Sequence, residues 1–281
     1  LGNLQSSLAV PPLLKILETT KSDSLIDAVC SALGKIGSPA FEGLARQLSL
    51  NSAKAAGVIL RALGETKDSR AFDILIRHLK PEGDECSSAI MALGSLGDQR
   101  AIDCLMPFLS SQDLWLMNAA IDSLGDLKAE KAVPQLVAAL AISKNYVDFR
   151  ASVALGKIGG TETFDAVFRA AQDSSFAGRA EAIRTVGRFK TEPRAYPFLL
   201  RMLEEQDPIN ASAADALGYL GDMRALPALE KAMRSADEEL ARAAYGSWRV
   251  IQEQMKKEDE EAVPADSESF ALPHWAESSA G

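Results

Sequence analysis

"ALGSLGDQRAIDCLMPFL", residues 92–109, decides the fold. It starts as a helix, stops at Gly94, and starts again as a second helix. Nearly the same phrase returns about every thirty residues. Its glycine recurs at Gly2, Gly34, Gly64, Gly94, Gly125, Gly156, Gly187 and Gly218, with spacings of 32, 30, 30, 31, 31, 31 and 31. A weaker ninth copy, "AAYGSW", places a glycine at Gly246. A fixed period of this length is the mark of a repeat array, and finding it settles the organisation of the chain.

A second marker follows each glycine: Ala9, Ala40, Ala71, Ala101, Ala132, Thr163, Ala195 and Ala225. Counted from the marker, apolar side chains fall at +1, +4 and mostly +5 and +8, as in Phe72, Leu75, Ile76 and Leu79. That is the stripe of an amphipathic helix. The +2 column holds only proline or acid: Pro11, Glu42, Asp73, Asp103, Pro134, Asp165, Pro197 and Pro227. Both suit a first helical turn, where proline gives up no needed N–H and a carboxylate meets the positive end of the helix dipole.

The first helix of each unit precedes the glycine. Two residues before that glycine the side chain is small: Ala32, Ala62, Ala92, Ser123, Ala154, Thr185, Ala216 and Ala244. Small side chains there allow close helix approach. The glycine either ends the helix in the left-handed conformation or packs inside its last turn. One such hairpin cannot bury both of its apolar faces, but stacked neighbours can. The expected fold is all-α: an α-solenoid of about eight two-helix repeats over 1–261, the first incomplete. A capping helix is expected at 237–261, and a disordered acidic tail at 262–281. Tyr245, Trp248 and Ile251 are expected to pack the cap onto repeat eight.

The phrases "ALGKIGSPAFEGL", "ALGSLGDQRAIDCL" and "ALGYLGDMRALPAL" resemble the short HEAT-like repeats first noted in phycobilin lyases, over residues 1 to about 255. The arginine that often opens the first helix in that family is clear only at Arg179. The resemblance implies architecture more than activity. Deoxyhypusine hydroxylase is built similarly but holds two irons through His-Glu pairs. Here the only histidines, His78 and His274, do not precede Glu. A bilin-lyase-type subunit or chromophore-handling chaperone is the alternative to a non-enzymatic protein-binding scaffold or a regulatory subunit.

Charge and cysteine content narrow the classes further. The net charge is −9, and the seven acids from Glu258 onward carry most of it, leaving the body near −2. A nucleic-acid partner would call for a basic domain. No apolar run of about 18 residues is present, so no membrane span is expected. Three cysteines without a CxxC pair suit a reducing, cytoplasmic setting and no metal site. The chain opens at Leu1 in mid-repeat, so a natural start further upstream is expected. There is no nucleophile elbow, phosphate loop or histidine cluster, and no cofactor or catalytic residue is expected.

The resemblance implies that the second helices line the concave side. Their outward positions by helical period are +2, +3, +6 and +7. The +6 column is mostly basic, including Arg46, Arg77, Arg169 and Arg201, and interrupted by Pro107 and Ala138. Around the interruption lie Cys104, Phe108 and Gln135, an expected apolar patch between basic flanks, with His78 able to join it. Phe198 and Met202 occupy +3 and +7 of repeat seven. Against a groove role, Glu42–Arg46, Asp73–Arg77 and Asp165–Arg169 are spaced as helix-stabilising pairs. Trp115 is expected to cover a seam between repeats. Phe270 and Trp275 form an aromatic island in the tail, a candidate motif for binding a partner or for folding back on the groove. The expected partner is a protein or peptide segment, an acidic one if the basic column receives it.

Overall fold

A computed structural model describes residues 6–50, 53–83, 85–205 and 209–262. These hold sixteen α-helices and no strand. Even-numbered helices carry the repeated glycine: α2 (Asp23–Ile36), α4 (Ala53–Glu65), α6 (Cys86–Leu96), α8 (Leu114–Asp126), α10 (Val147–Ile158), α12 (Arg179–Val186), α14 (Ile209–Leu220) and α16 (Glu238–Ala262). Odd-numbered helices follow it: α1 (Val10–Thr19), α3 (Phe41–Leu50), α5 (Ala71–Arg77), α7 (Ala101–Leu105), α9 (Val133–Ala139), α11 (Gly160–Gln172), α13 (Ala195–Glu204) and α15 (Leu226–Ala232). Contacts divide the chain into two compact units, residues 1–195 and 196–281, where the sequence suggests one array through 1–261. None of the described helices is long and apolar enough to cross a membrane.

The repeated glycine is a packing glycine. The helix runs on past it to a residue three positions further, where the backbone turns left-handed: Gly37 at φ 88°, Gly97 at 81°, Gly159 at 65° and Gly221 at 73°. Lys67 and Lys128 take this position in repeats three and five. The first glycine meets the next repeat instead. A Cβ on Gly64 would stand 2.3 Å from the Ala92 carbonyl oxygen, and one on Gly125 2.8 Å from the Ala154 Cα. Ala92, Ser123 and Ala154 are therefore each half of a seam whose other half is the preceding repeat's glycine, whereas Gly34 meets Glu65 first and Gly156 meets Arg188.

This seam corrects the last repeat. Gly218 meets Ser247, with a built Cβ 2.4 Å from its Oγ, while a Cβ on Gly246 would touch nothing. The small seam residue of α16 is thus Ser247 rather than Ala244, and Arg249 stands in the glycine place. The spacing from Gly218 to Arg249 is 31, so the period continues where "AAYGSW" had suggested a short repeat. Ala89, Ala120, Ala151, Ala182, Ala213 and Ala244 then recur at that interval, and each is wholly buried. Trp248 Nε1 donates to Glu230 Oε1 at 3.2 Å and Ile251 is buried, so both pack onto repeat eight. Tyr245 instead remains 55% exposed.

Within residues 1–195 the glycine helices lie against one another along their lengths, α2 on α4, α4 on α6, α6 on α8 and α8 on α10. The second helices touch their counterparts at few places. The glycine helices are thus the more extensively packed layer of this unit.

Candidate functional site

The residues nominated on the second helices fall into three groups. Arg46, Arg77, Pro107, Gln135, Arg169 and Arg201 are exposed. His78, Cys104 and Phe108 are half-buried, with His78 Nδ1 2.5 Å from Glu85 Oε2 and the Cys104 thiol donating to the Arg100 carbonyl at 3.7 Å. Phe198 and Met202 are core residues, 5% and 3% exposed, which removes them as contact residues. Positions +3 and +7 border the core stripe, so they do not point straight outward. Pro107 also shortens its helix: α7 gives way to a 3-10 turn over Met106–Ser110. Phe270 and Trp275 lie outside the described residues.

In two of the three expected acid–base pairs four apart, the acid pairs between repeats instead. Glu42 binds Arg70, and Asp165 binds Arg194 at 2.7 Å. Asp103 binds Lys131 at 2.5 Å. Each base stands immediately before the marker of the next repeat. The arginines also lie over the preceding repeat's +1 ring: Arg70 is 4.2 Å from the Phe41 centroid and Arg100 4.1 Å from that of Phe72. Arg194 lies 4.7 Å from Phe164, and Arg224 4.4 Å from Tyr196. Asp68, Asp98 and Asp222, two residues upstream of their arginines, accept from the arginine backbone N–H and hold the guanidinium. Those guanidiniums keep all three carboxyls below the usual carboxylate range. These clamps combine cation–π and charge-assisted contacts at each joint. The sequence carried the signal: an acid at +2 occurs only where the next repeat supplies a base.

The glycine-helix layer carries exposed aromatic side chains, of which Tyr146 and Phe149 were not singled out by the sequence pattern. Trp115 opens α8 and is 71% exposed, so it covers no seam. Asp113 caps that helix by accepting from the Trp115 N–H at 2.8 Å. Tyr146, 76% exposed, caps α10 with φ 61°, after Asn145 at φ 49°. Two successive left-handed residues without glycine are costly, of order 1–3 kcal/mol each. Asn118, buried in α8, holds this turn by donating from Nδ2 to the Asn145 carbonyl at 3.0 Å. Trp115 and Tyr146 are 31 residues apart and so equivalent in consecutive repeats, about one helix diameter or ~10 Å apart. Phe149, 47% exposed, follows three residues later in the first turn of α10.

One charged group lies against these rings. Arg188 lies 5.4 Å from the Phe149 centroid and donates to Ser152 Oγ at 2.8 Å. Arg179 and Arg184 precede it on α12, with Arg184 3.3 Å from Glu181. Asp122 binds Arg150, and Asp126 binds Lys157 at 2.6 Å. Burial pushes the Asp122 and Glu181 carboxyls above their ordinary range despite those partners. No group of three or more metal-ligating side chains stands together among the described residues.

Two-helix hairpins joined through a glycine seam and repeated at a constant period define an α-solenoid. Family models of HEAT repeats match residues 84–149 and 143–214, and the PBS lyase HEAT-like repeat matches 209–235. Together these span residues 84–235 and show HEAT repeats in the chain. Among solved structures, human deoxyhypusine hydroxylase in complex with glycerol is similar at 19% identity and a TM-score of 0.40, covering 90% of this chain and 99% of that one. The complex of CpcE and CpcF of phycocyanin lyase from a Nostoc species gives 21% identity and a TM-score of 0.44, over 77% and 93%. An engineered protein gives 19% and 0.44, over 86% and 78%. No curated protein matches the chain.

Proposed function

We propose that this chain is a non-enzymatic scaffold that binds a protein segment on its glycine-helix layer, around α8, α10 and α12. The observation that carries this reading is the group of exposed rings, Trp115, Tyr146 and Phe149, beside Arg188 and the arginines of α12. Large rings with arginine are the side chains that anchor protein interfaces. A backbone held left-handed to display Tyr146 is a cost that folding alone does not require. The suited partner segment is acidic and apolar. The free cysteines Cys30, Cys86 and Cys104 suit a reducing compartment.

The test is capture from native lysate with three baits: wild type, Tyr146→Ala/Phe149→Ala, and Arg77→Glu/Arg169→Glu. The reading expects a partner lost from the second bait and kept by the third. A partner kept equally by the first two sinks it. The alternative is a bilin-lyase-type subunit, in keeping with the family of the 209–235 match. Incubation with a bilin separates the two, because a visible absorbance shift or covalent transfer would support the lyase reading.

A further inference from the structure

Of the six joints within residues 1–195 two lack the clamp, and in the first of them, between repeats one and two, Val10, Pro11 and Pro39 take the +1, +2 and base places. In four joints within residues 1–195 the preceding repeat offers an aromatic or isoleucine at +1 and an acid at +2, and the next repeat supplies Arg70, Arg100, Lys131 or Arg194. Between repeats five and six the +1 and +2 residues are Val133 and Pro134, and Glu162 stands in the base's place. The chain enters α11 through Gly159 and Gly160, both left-handed, so the turn that elsewhere folds the arginine back is missing. A groove of about 520 Å³ remains, lined by Glu130, Val133, Pro134, Glu162, Asp165 and Arg169 among others.

The geometry points to this groove as the receptor for a single arginine side chain of a partner protein, held by Glu130 and Glu162 in place of the +1 ring and +2 acid of the sibling joints. Val133 and Pro134 give an apolar floor for the methylene stem. Glu130 and Glu162 are exposed and paired with nothing among the described residues, so they are open to a guanidinium. Asp165 is already held by Arg194. Arg169 stands nearly two turns along α11 from Glu162 and repels a second positive charge, so an isolated arginine fits better than a basic run. This site is separate from the rings of α8 and α10 and does not depend on the reading above.

The probe is the blocked tripeptide acetyl-Ala-Arg-Ala-amide, titrated into the full chain and read by amide NMR shifts at Gly159, Gly160 and Thr161. Saturable shifts are expected. The citrulline analogue, isosteric but neutral, should bind about tenfold more weakly or worse. Glu162→Arg, which fills the groove from within, should abolish the shifts. Glu162→Gln removes one carboxylate with little change of shape and should weaken binding severalfold. Absent shifts, equal shifts from citrulline, or wild-type binding by a folded Glu162→Gln variant would each overturn the proposal.

Discussion

Two glycines that the sequence presents as equivalents should respond oppositely to alanine. At Gly64 the new Cβ would lie 2.3 Å from the Ala92 carbonyl oxygen and 2.7 Å from its Cα. The obstacle is backbone, so α4 and α6 must part by about 1 Å to reach ordinary contact near 3.5 Å. Overpacking costs about 1–3 kcal/mol, and a backbone obstacle belongs at the upper end of that range. Alanine regains about 1 kcal/mol of helix propensity. Gly64→Ala should therefore lose about 1–2 kcal/mol, or about 2–8 °C in melting temperature. At Gly246 the Cβ meets nothing, so Gly246→Ala should gain up to about 1 kcal/mol. Thermal and urea unfolding by circular dichroism would measure both. Hydrogen exchange over α4–α6 and α14–α16 would assign each effect to its own region. A neutral or stabilised Gly64→Ala would refute the seam.

Other consequences follow from the same contacts. Asp68, Asp98 and Asp222 have folded values below the unfolded value of about 3.9, so their contribution is present above that value and lost as pH falls through the folded values. Asp122 and Glu181 have raised folded values, so their contribution is present at low pH and lost as pH rises through those values. Urea midpoints should peak at mildly acidic pH, and Asp122→Asn/Glu181→Gln should remove the fall on the alkaline side; a midpoint rising steadily to neutrality contradicts this. Cys30 is wholly buried, its thiol pushed up to about 12 by burial, and Cys86 is buried with it. Thiol reagents should label half-buried Cys104 in the native protein and the other two only on unfolding; native labelling of Cys30 would argue against its placement. Tyr146→Gly should gain about 1 kcal/mol by relieving the left-handed backbone while losing the partner, a split visible by pairing melting with capture.

The hairpin, the period and the core stripe were legible in the sequence because each rests on spacing. Leu75, Leu105 and Leu136 recur at one place and all are wholly buried. Less legible was what the glycine does, since a helix-ending glycine and a packing glycine leave the same letter. The second glycine three residues on, as in Gly94 and Gly97, distinguishes them. The last repeat misled because Gly246 resembles the motif while the register follows Ser247 and Ala244. On the second helices +3 and +7 border the core, which buries Phe198 and Met202, while the use of Glu42 and Asp165 between repeats leaves Arg46 and Arg169 exposed. Trp115 and Tyr146 carried their signal in a shared interval of 31, but only exposure distinguishes a displayed ring from a seam cover.

The most direct test of the scaffold reading is photo-crosslinking with a benzoylphenylalanine placed at Tyr146 in one protein and at Arg77 in another. The account expects one discrete protein adduct from position 146, competed away by unlabelled wild type but not by Tyr146→Ala/Phe149→Ala, and none from position 77. An adduct from position 77 with none from 146 would put the binding surface on the second helices and contradict it.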